Sequence, residues 1–280
     1  MVGHWVGVRR VLVSVAVAVV FVSGCGSDSE SAGDPATTTA GAVTTTEAPP
    51  TEPVRVLVTN DDGIGAEGIA AISDALAALE GVEVTVVAPL ENQSGSGGKT
   101  TTGELAVTDA TTATGRAGKA VAGFPADAMI WALDQGGVAA RPDLVVSGVN
   151  FGQNIGPAVP ISGTIGAARA AAARGIPALA VSQGIGQPAD FPSAVRFALE
   201  WFAEHRDEIA AGTYPVGVTS LNVPTCTAGE VKPPVSVPVS ANADGRDLSK
   251  SDCTAEVAGA VDDVSAFTQG VATLTDVGLG

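Results

Sequence analysis

Apolar residues recur along this chain with two different periods. Short β-branched runs read as strands: Val54–Thr59 (VRVLVT), Val82–Ala88 (VEVTVVA), Asp143–Ser147 (DLVVS), Ile176–Val181 (IPALAV) and a segment near Gly217–Val223. Between them, Ala66–Glu80, Gly166–Arg174 and a stretch around Ser193–Ala211 carry apolar residues at helical spacing. Near-continuous apolar strands alternating with helices predict a parallel sheet covered on both faces. The expected fold is therefore α/β: one Rossmann-like, doubly wound, mostly parallel sheet over residues 53–280, with no internal repeat.

The first fifty residues follow neither period. Arg9 and Arg10 precede the apolar run Val11–Val22, which is too short to span a bilayer, a task for ~20 residues, but suits the core of an export signal. The run ends in Val22-Ser23-Gly24-Cys25, which resembles the bacterial lipobox, so residues 1–24 read as a lipoprotein signal peptide and Cys25 as the lipidated residue. Residues 25–52 are nearly all Ser, Thr, Ala, Pro and acid, cannot bury enough surface to offset their ordering entropy, and read as a flexible tether. The expected location is extracytoplasmic, with the lipid anchor on the bacterial cell membrane; an ordinary cleaved signal would make the protein secreted instead. Outside the cytoplasm Cys226 and Cys253 could form one disulfide, with two free buried thiols as the alternative.

Charge narrows the function classes. Fourteen basic against 30 acidic residues give −16, and removal of residues 1–24 takes two Arg and no acid. Such a surface repels phosphate backbones, which excludes nucleic-acid polymers as partners through a basic face. His4 and His205 are the only histidines, too few for a zinc site or a Ser-His-Asp triad. Metal chemistry here must use oxygen ligands.

Polar residues gather where the strands end, the place where open α/β sheets bind ligands. Asn60-Asp61-Asp62-Gly63 follows the first strand, Asn92-Gln93-Ser94-Gly95-Ser96-Gly97 the second, and Gly148-Val149-Asn150-Phe151-Gly152-Gln153-Asn154 the Asp143–Ser147 strand. Ser162-Gly163-Thr164 leads into an alanine-rich helix, whose N-terminus could hold an anion or could simply be capped by Ser162 or Thr164. Adjacent carboxylates at the mouth of a buried strand repel each other unless a cation lies between them. Asp61, Asp62, Ser94 and Asn150 offer oxygen donors from three loops, a set that suits Mg²⁺ or Mn²⁺.

Gly63-Ile64-Gly65-Ala66-Glu67-Gly68 also fits the dinucleotide fingerprint, with Glu91 near the end of the second strand. Two carboxylates immediately before it would face the pyrophosphate, which argues against a dinucleotide. Asn92-Gln93-Ser94 fits a glycosylation pattern, discounted because the lipobox points to bacteria. Met129 and Trp131 read as core, and His205 as a solvated helix residue beside an acidic face of Glu204, Asp207 and Glu208.

The segments VLVTNDDGIGAEGI, APLENQSGSG, GFPADA, PDLVVSGVNFGQNIG and SGTIGAARAAAARGIPALAVS, in this order, resemble the SurE family of survival-protein 5′/3′-nucleotidases. The resemblance is close from about Val54 to Ser182 and looser through Leu221-Asn222-Val223-Pro224 and Val264–Leu274. It implies a Rossmann-like domain with a divalent-metal phosphomonoesterase site. It further implies that Asp61, Asp62, Ser94 and Asn150 ligate the metal, that Asn154, Ser162, Gly163 and Thr164 line the phosphate pocket, and that Asn60 orients the acidic pair from behind. Asp61 is the implied general base, with direct attack by its carboxylate left open.

The implied substrate is a nucleoside 5′- (and 3′-) monophosphate, cleaved to nucleoside and phosphate. Two other readings stand beside it: a non-catalytic lipoprotein that binds a phosphorylated ligand, and a phosphatase or exopolyphosphatase with other substrates. Family members usually lack an export signal. Residues 225–263 depart from the family's usual arm, which helps build dimers and tetramers, so a homodimer or tetramer is an open expectation for this chain.

Overall fold

A computed structural model describes residues 52–280; the signal, Cys25 and nearly all of the tether lie outside the described residues. Its strands are β1 (Val54–Thr59), β2 (Val82–Pro89), β3 (Val107–Thr111), β4 (Ala117–Val121), β5 (Leu144–Phe151), β6 (Ala178–Gln183), β7 (Val218–Val223), β8 (Lys232–Ser236) and β9 (Val271–Asp276). Its helices are α1 (Glu67–Ala77), α2 (Pro125–Asp134), α3 (Gly163–Ala172), α4 (Phe191–Ala210) and α5 (Asp263–Phe267). The nine strands form one sheet in the order β3-β4-β2-β1-β5-β6-β7-β9-β8. All neighbours run parallel except β3–β4 and β7–β9.

The sheet is mostly parallel because its central strands bury both faces. In β1 and β5 almost every residue is buried, so one set of side chains feeds each helical layer. On one face Ile69, Ile72 and Leu76 of α1 meet Phe197, Trp201 and Phe202 of α4. On the other, Met129 and Ala132 of α2 meet Ile165, Ala168 and Ala172 of α3. The alanines of α3 bring its axis close to β5 and β6, which sets the helix start next to the ends of those strands.

Chain direction across the sheet reverses at β1. Through α1 and β2 the chain moves one way, and β5 returns to pair with the other side of β1. A crevice opens at such a switch point, beyond the carboxyl ends of the two strands. Asp61 follows β1, and Asn150 lies in the last turn of the β5 ladder, where the register with β6 shifts between Ser147 and Asn150.

Several elements differ from the sequence expectation. The β3–β4 hairpin is built from VTDAT and AGKAV, which carry little apolar alternation and were unreadable by period. Helix α3 begins at Gly163, before the alanines that mark it, and β5 runs on to Phe151 because Val149 and Asn150 remain buried despite the flanking glycines. His205 is only partly solvated: its side chain is 26% exposed, and its ring packs against Trp201 and Tyr214, with centroids 5.0 and 4.9 Å away. Met129 is fully buried.

The 225–263 arm leaves β7, contributes β8 to the sheet edge and carries a disulfide between Cys226 and Cys253, whose Cα atoms are 5.7 Å apart. Lys232 Nζ ties the arm further by donating to the carbonyls of Cys253 (2.9 Å) and Gln269 (2.8 Å). No helix among the described residues is long and apolar enough to cross a membrane.

Candidate active site

The turn after β1 carries the two carboxylates, and buried polar contacts hold it from behind. Asn60, fully buried, donates from Nδ2 to the Gly63 carbonyl at 2.8 Å, closing the turn over Asp61 and Asp62. The next loop is tied to it twice. Gln93 N–H donates to the Asp61 carbonyl at 2.7 Å, and Asn92 Nδ2 donates to Asp62 Oδ1 at 3.0 Å. Asn92 Oδ1 in turn accepts from the Ser94 N–H at 2.9 Å, so Ser94 stands exposed at the rim, one contact away from Asp62.

The β5 end closes the other side. Phe151 N–H donates to Asp62 Oδ2 at 3.0 Å. Asn150 Nδ2 donates to the Gly152 carbonyl, which commits the amide nitrogen to the main chain and leaves Oδ1 as its free acceptor.

Helix α3 supplies the third wall. Ser162 caps it by accepting the Ile165 N–H at 3.1 Å. Thr164 Oγ1 donates to Asp61 Oδ1 at 2.8 Å. Its single proton goes to the carboxylate rather than outward, so the residue joins the acidic pair to the helix start instead of offering its hydroxyl to an anion. Gly163 sits against the other carboxylate oxygen: a Cβ there would lie 2.8 Å from Asp61 Cβ, Asp61 Oδ2 and Ser96 Oγ alike. Only glycine leaves this approach open.

Asn154 braces the same wall. Its Nδ2 donates to Ser182 Oγ at 2.8 Å, with Thr164 Oγ1 at 3.5 Å, and its N–H donates to Asn222 Oδ1 at 2.7 Å. Asn222 answers by donating to the Asn154 carbonyl at 3.3 Å. The structure thus gathers Asp61, Asp62, Asn150, Asn154, Ser162, Gly163 and Thr164 at one edge, with Ser94 at its rim.

Sequence reading gave no part to Asn222, Ser182 or Ser96. A polar residue in an otherwise apolar strand, as in VTSLNV or ALAVSQ, is the one signal that could have marked the first two.

Electrostatics follow from burial. Asp61 is 3% exposed, and its carboxyl is pushed up to about 6. Loss of solvent is the main cause, opposed by the Thr164 hydroxyl and reinforced by the neighbouring Asp62 charge. Asp62 is also raised by burial, against the Phe151 N–H and the Asn92 amide. Ser96 Oγ and Asn60 Oδ1 are buried without a hydrogen-bond partner among the described residues. Two desolvated carboxylates, with unspent oxygen acceptors around them, fit a hard divalent cation: oxygen-only donors and uncompensated negative charge are what such an ion takes.

A family model described as "Survival protein SurE" matches residues 56–244. The chain is 35% identical over 190 residues to the 5′-nucleotidase SurE of Methanocella arvoryzae, covering 65% of this chain and 71% of that one. It is 47% identical over 149 residues to the 5′-nucleotidase SurE of Halobacterium salinarum, covering 50% and 54%. Its fold matches the crystal structure of the SurE protein from Aquifex aeolicus with a TM-score of 0.65 at 25% identity, over 81% of this chain and 94% of that one. With the acidic turn after β1, the polar end of β5 and the glycine-opened start of α3 all falling within the matched residues, the chain belongs to the SurE family.

Proposed function

We propose that this protein is a divalent-metal-dependent nucleotidase that hydrolyses nucleoside 5′-monophosphates, with 3′-monophosphates as further substrates. The observation that carries the reading is the desolvated pair Asp61–Asp62 set against the opening of α3. Support comes also from the relatives named 5′-nucleotidase. Asp61, Asp62, Ser94 and Asn150 would hold the ion, Mg²⁺ or Mn²⁺. When bound, it supplies positive charge to the phosphoryl oxygens and lowers the pKa of water.

The chain's own groups divide the remaining work. The start of α3, where the helix dipole favours negative charge, would face the phosphoryl group, with Asn154, Ser162, Gly163 and Thr164 lining its pocket. Asp61 Oδ1 is fixed by Thr164, which leaves Oδ2 to take the proton from an attacking water. Burial raises this carboxyl in the metal-free protein, and the charge of a bound cation would hold it ionised and ready to accept that proton. Water oxygen bonds to phosphorus as its proton passes to Asp61, the bond to the nucleoside oxygen breaks, and that oxygen takes up a proton from Asp61 or solvent as the nucleoside leaves and phosphate stays behind. Placement and charge, rather than covalent chemistry, do most of the catalysis.

Phosphate release from a panel of nucleoside monophosphates tests the reading, run in chelator and then with added Mg²⁺ or Mn²⁺. Metal-dependent release upholds it. Release only from polyphosphate, or binding without release, transfers the site to one of the two other readings.

The N-terminal sequence supports a second, separate proposal: an exported lipoprotein anchored through Cys25, with a tether to residue 52 and the domain from residue 53. Incorporation of labelled fatty acid that is lost in Cys25→Ser is the expected result; incorporation that survives the substitution contradicts it.

A further inference from the structure

Beside the acidic pair lies a cleft of about 490 Å³ that the phosphate chemistry leaves unused, lined by Asp62, Gly68, Phe151, Gln187, Pro188 and Phe191. Its size falls within the range of small-molecule sites. Phe151 is 38% exposed, an aromatic ring left open to solvent at the end of an otherwise buried strand. The ring of Phe191 meets it edge to face, centroids 6.3 Å apart at 67°. Gly68, at the start of α1, makes room for this wall, since a Cβ there would come within 3.2 Å of the Phe191 ring and 1.9 Å of the Val149 carbonyl.

The placement of Phe151 is what gives the cleft a meaning. Its own N–H holds Asp62 Oδ2, so the main chain fixes the ring one residue away from the carboxylate. A molecule with its phosphate at the acidic pair extends its leaving group over that ring. We propose that Phe151 and Phe191 form the nucleobase subsite, stacking the base of the substrate, with the Gln187 amide at its edge. This rests on the nucleotidase reading. Stacking tolerates every base because each has a π face, and the amide can both donate and accept. The subsite thus selects nucleotides over phosphomonoesters that lack a planar leaving group, and places no strict demand on base identity.

The test compares AMP with ribose 5-phosphate, which keeps the sugar and phosphate but has no base, and measures adenosine binding by titration. Stacking is worth roughly 1–3 kcal/mol per base, so kcat/KM for AMP should exceed that for ribose 5-phosphate by about 5- to 150-fold. In Phe151→Ala and Phe191→Ala this ratio should fall toward one and adenosine binding should weaken by a similar factor, while Phe151→Tyr should keep both.

A ratio near one in the wild type, or an unchanged ratio in folded Phe151→Ala, overturns the subsite and leaves the nucleotidase standing. Adenosine binding that depends on Phe151, without hydrolysis of either ester, upholds the subsite and overturns the nucleotidase. A folded wild type that neither hydrolyses AMP nor binds adenosine overturns both. If Phe151→Ala does not fold, Phe151→Leu, which keeps the apolar volume without the π face, reads the same ratio.

Discussion

The hydroxyl of Thr164 donates to Asp61 Oδ1 at 2.8 Å, across 103 residues of sequence, and it is the link between the acidic turn and helix α3. Through Asn154 and Ser182 the same contact reaches β6. A buried carboxylate oriented by Thr164, with its second oxygen facing a glycine, is set up for use on one side only.

Replacing that donor should therefore harm chemistry more than folding. Thr164→Val keeps the shape and removes the proton. Loss of one oriented, charge-directed hydrogen bond should lower kcat about 100-fold and stability by about 1–3 kcal/mol. In the metal-free protein the Asp61 carboxyl, without the hydroxyl that lowers it, should titrate at higher pH than in the wild type. Unchanged turnover in a folded Thr164→Val would remove the contact from the mechanism.

Gly163→Ala puts a methyl where Asp61 Oδ2 and Ser96 Oγ each lie 2.8 Å away. Close packing cannot absorb that contact without moving the carboxylate, and overpacking of this kind costs about 1–3 kcal/mol. Activity should fall at least about 100-fold, the cost of a misplaced catalytic group. A variant with near-normal kcat would show that the start of α3 does not face the reacting atoms.

Burial of Asp61 predicts how stability varies with pH when no metal is present. Its folded pKa, about 6, lies above the ordinary 3.8, so the fold favours the protonated carboxyl. The sign follows: the contribution is fully present below 3.8 and is lost as pH rises through about 6. That difference corresponds to about 3 kcal/mol at most. In chelator, denaturant titrations should show wild-type stability falling across this window. Asp61→Asn, which is neutral throughout, should show a much smaller fall and be the more stable of the two above pH 6. Asp62 and Asp263 are also raised by burial and add to the fall in both proteins, so the share of Asp61 is the difference between the two curves. Parallel curves for the two proteins would contradict the assignment.

The Cys226–Cys253 disulfide closes a loop of 27 residues in the arm, which should constrain the unfolded chain by about 3 kcal/mol. Calorimetry of the Cys226→Ser/Cys253→Ser double variant should show a Tm lower by several degrees. Cys253 packs against Gly229 and Gly270 rather than against the acidic turn, so KM should change little; a large rise in KM would bring the arm into the substrate wall.

Much of this was legible in the chain. The strand and helix periods gave the sheet, and the polar loops between them gave the edge where Asp61, Asp62, Asn150 and Thr164 meet. What was hidden depends on contacts between distant residues. VTDAT and AGKAV become strands only because they pair with each other, with β4 adding to β2, so no local period announces them. Asn222 clasps Asn154 from β7, and Phe191 reaches Phe151 from the start of α4; neither pairing leaves a mark in spacing. His205 reads as fully solvated because its neighbours in sequence are charged, whereas Tyr214, from beyond the helix end, covers one side of it.

The central claim, that the acidic pair holds a metal and the buried Asp61 takes the proton, is tested most directly by AMP hydrolysis in wild type and Asp61→Asn at saturating Mg²⁺ or Mn²⁺. The account predicts release by the wild type that vanishes in chelator, and a loss of at least about 1,000-fold in folded Asp61→Asn, since the base and one metal ligand go together. Substantial turnover by Asp61→Asn, or release by the wild type that persists in chelator, would contradict it.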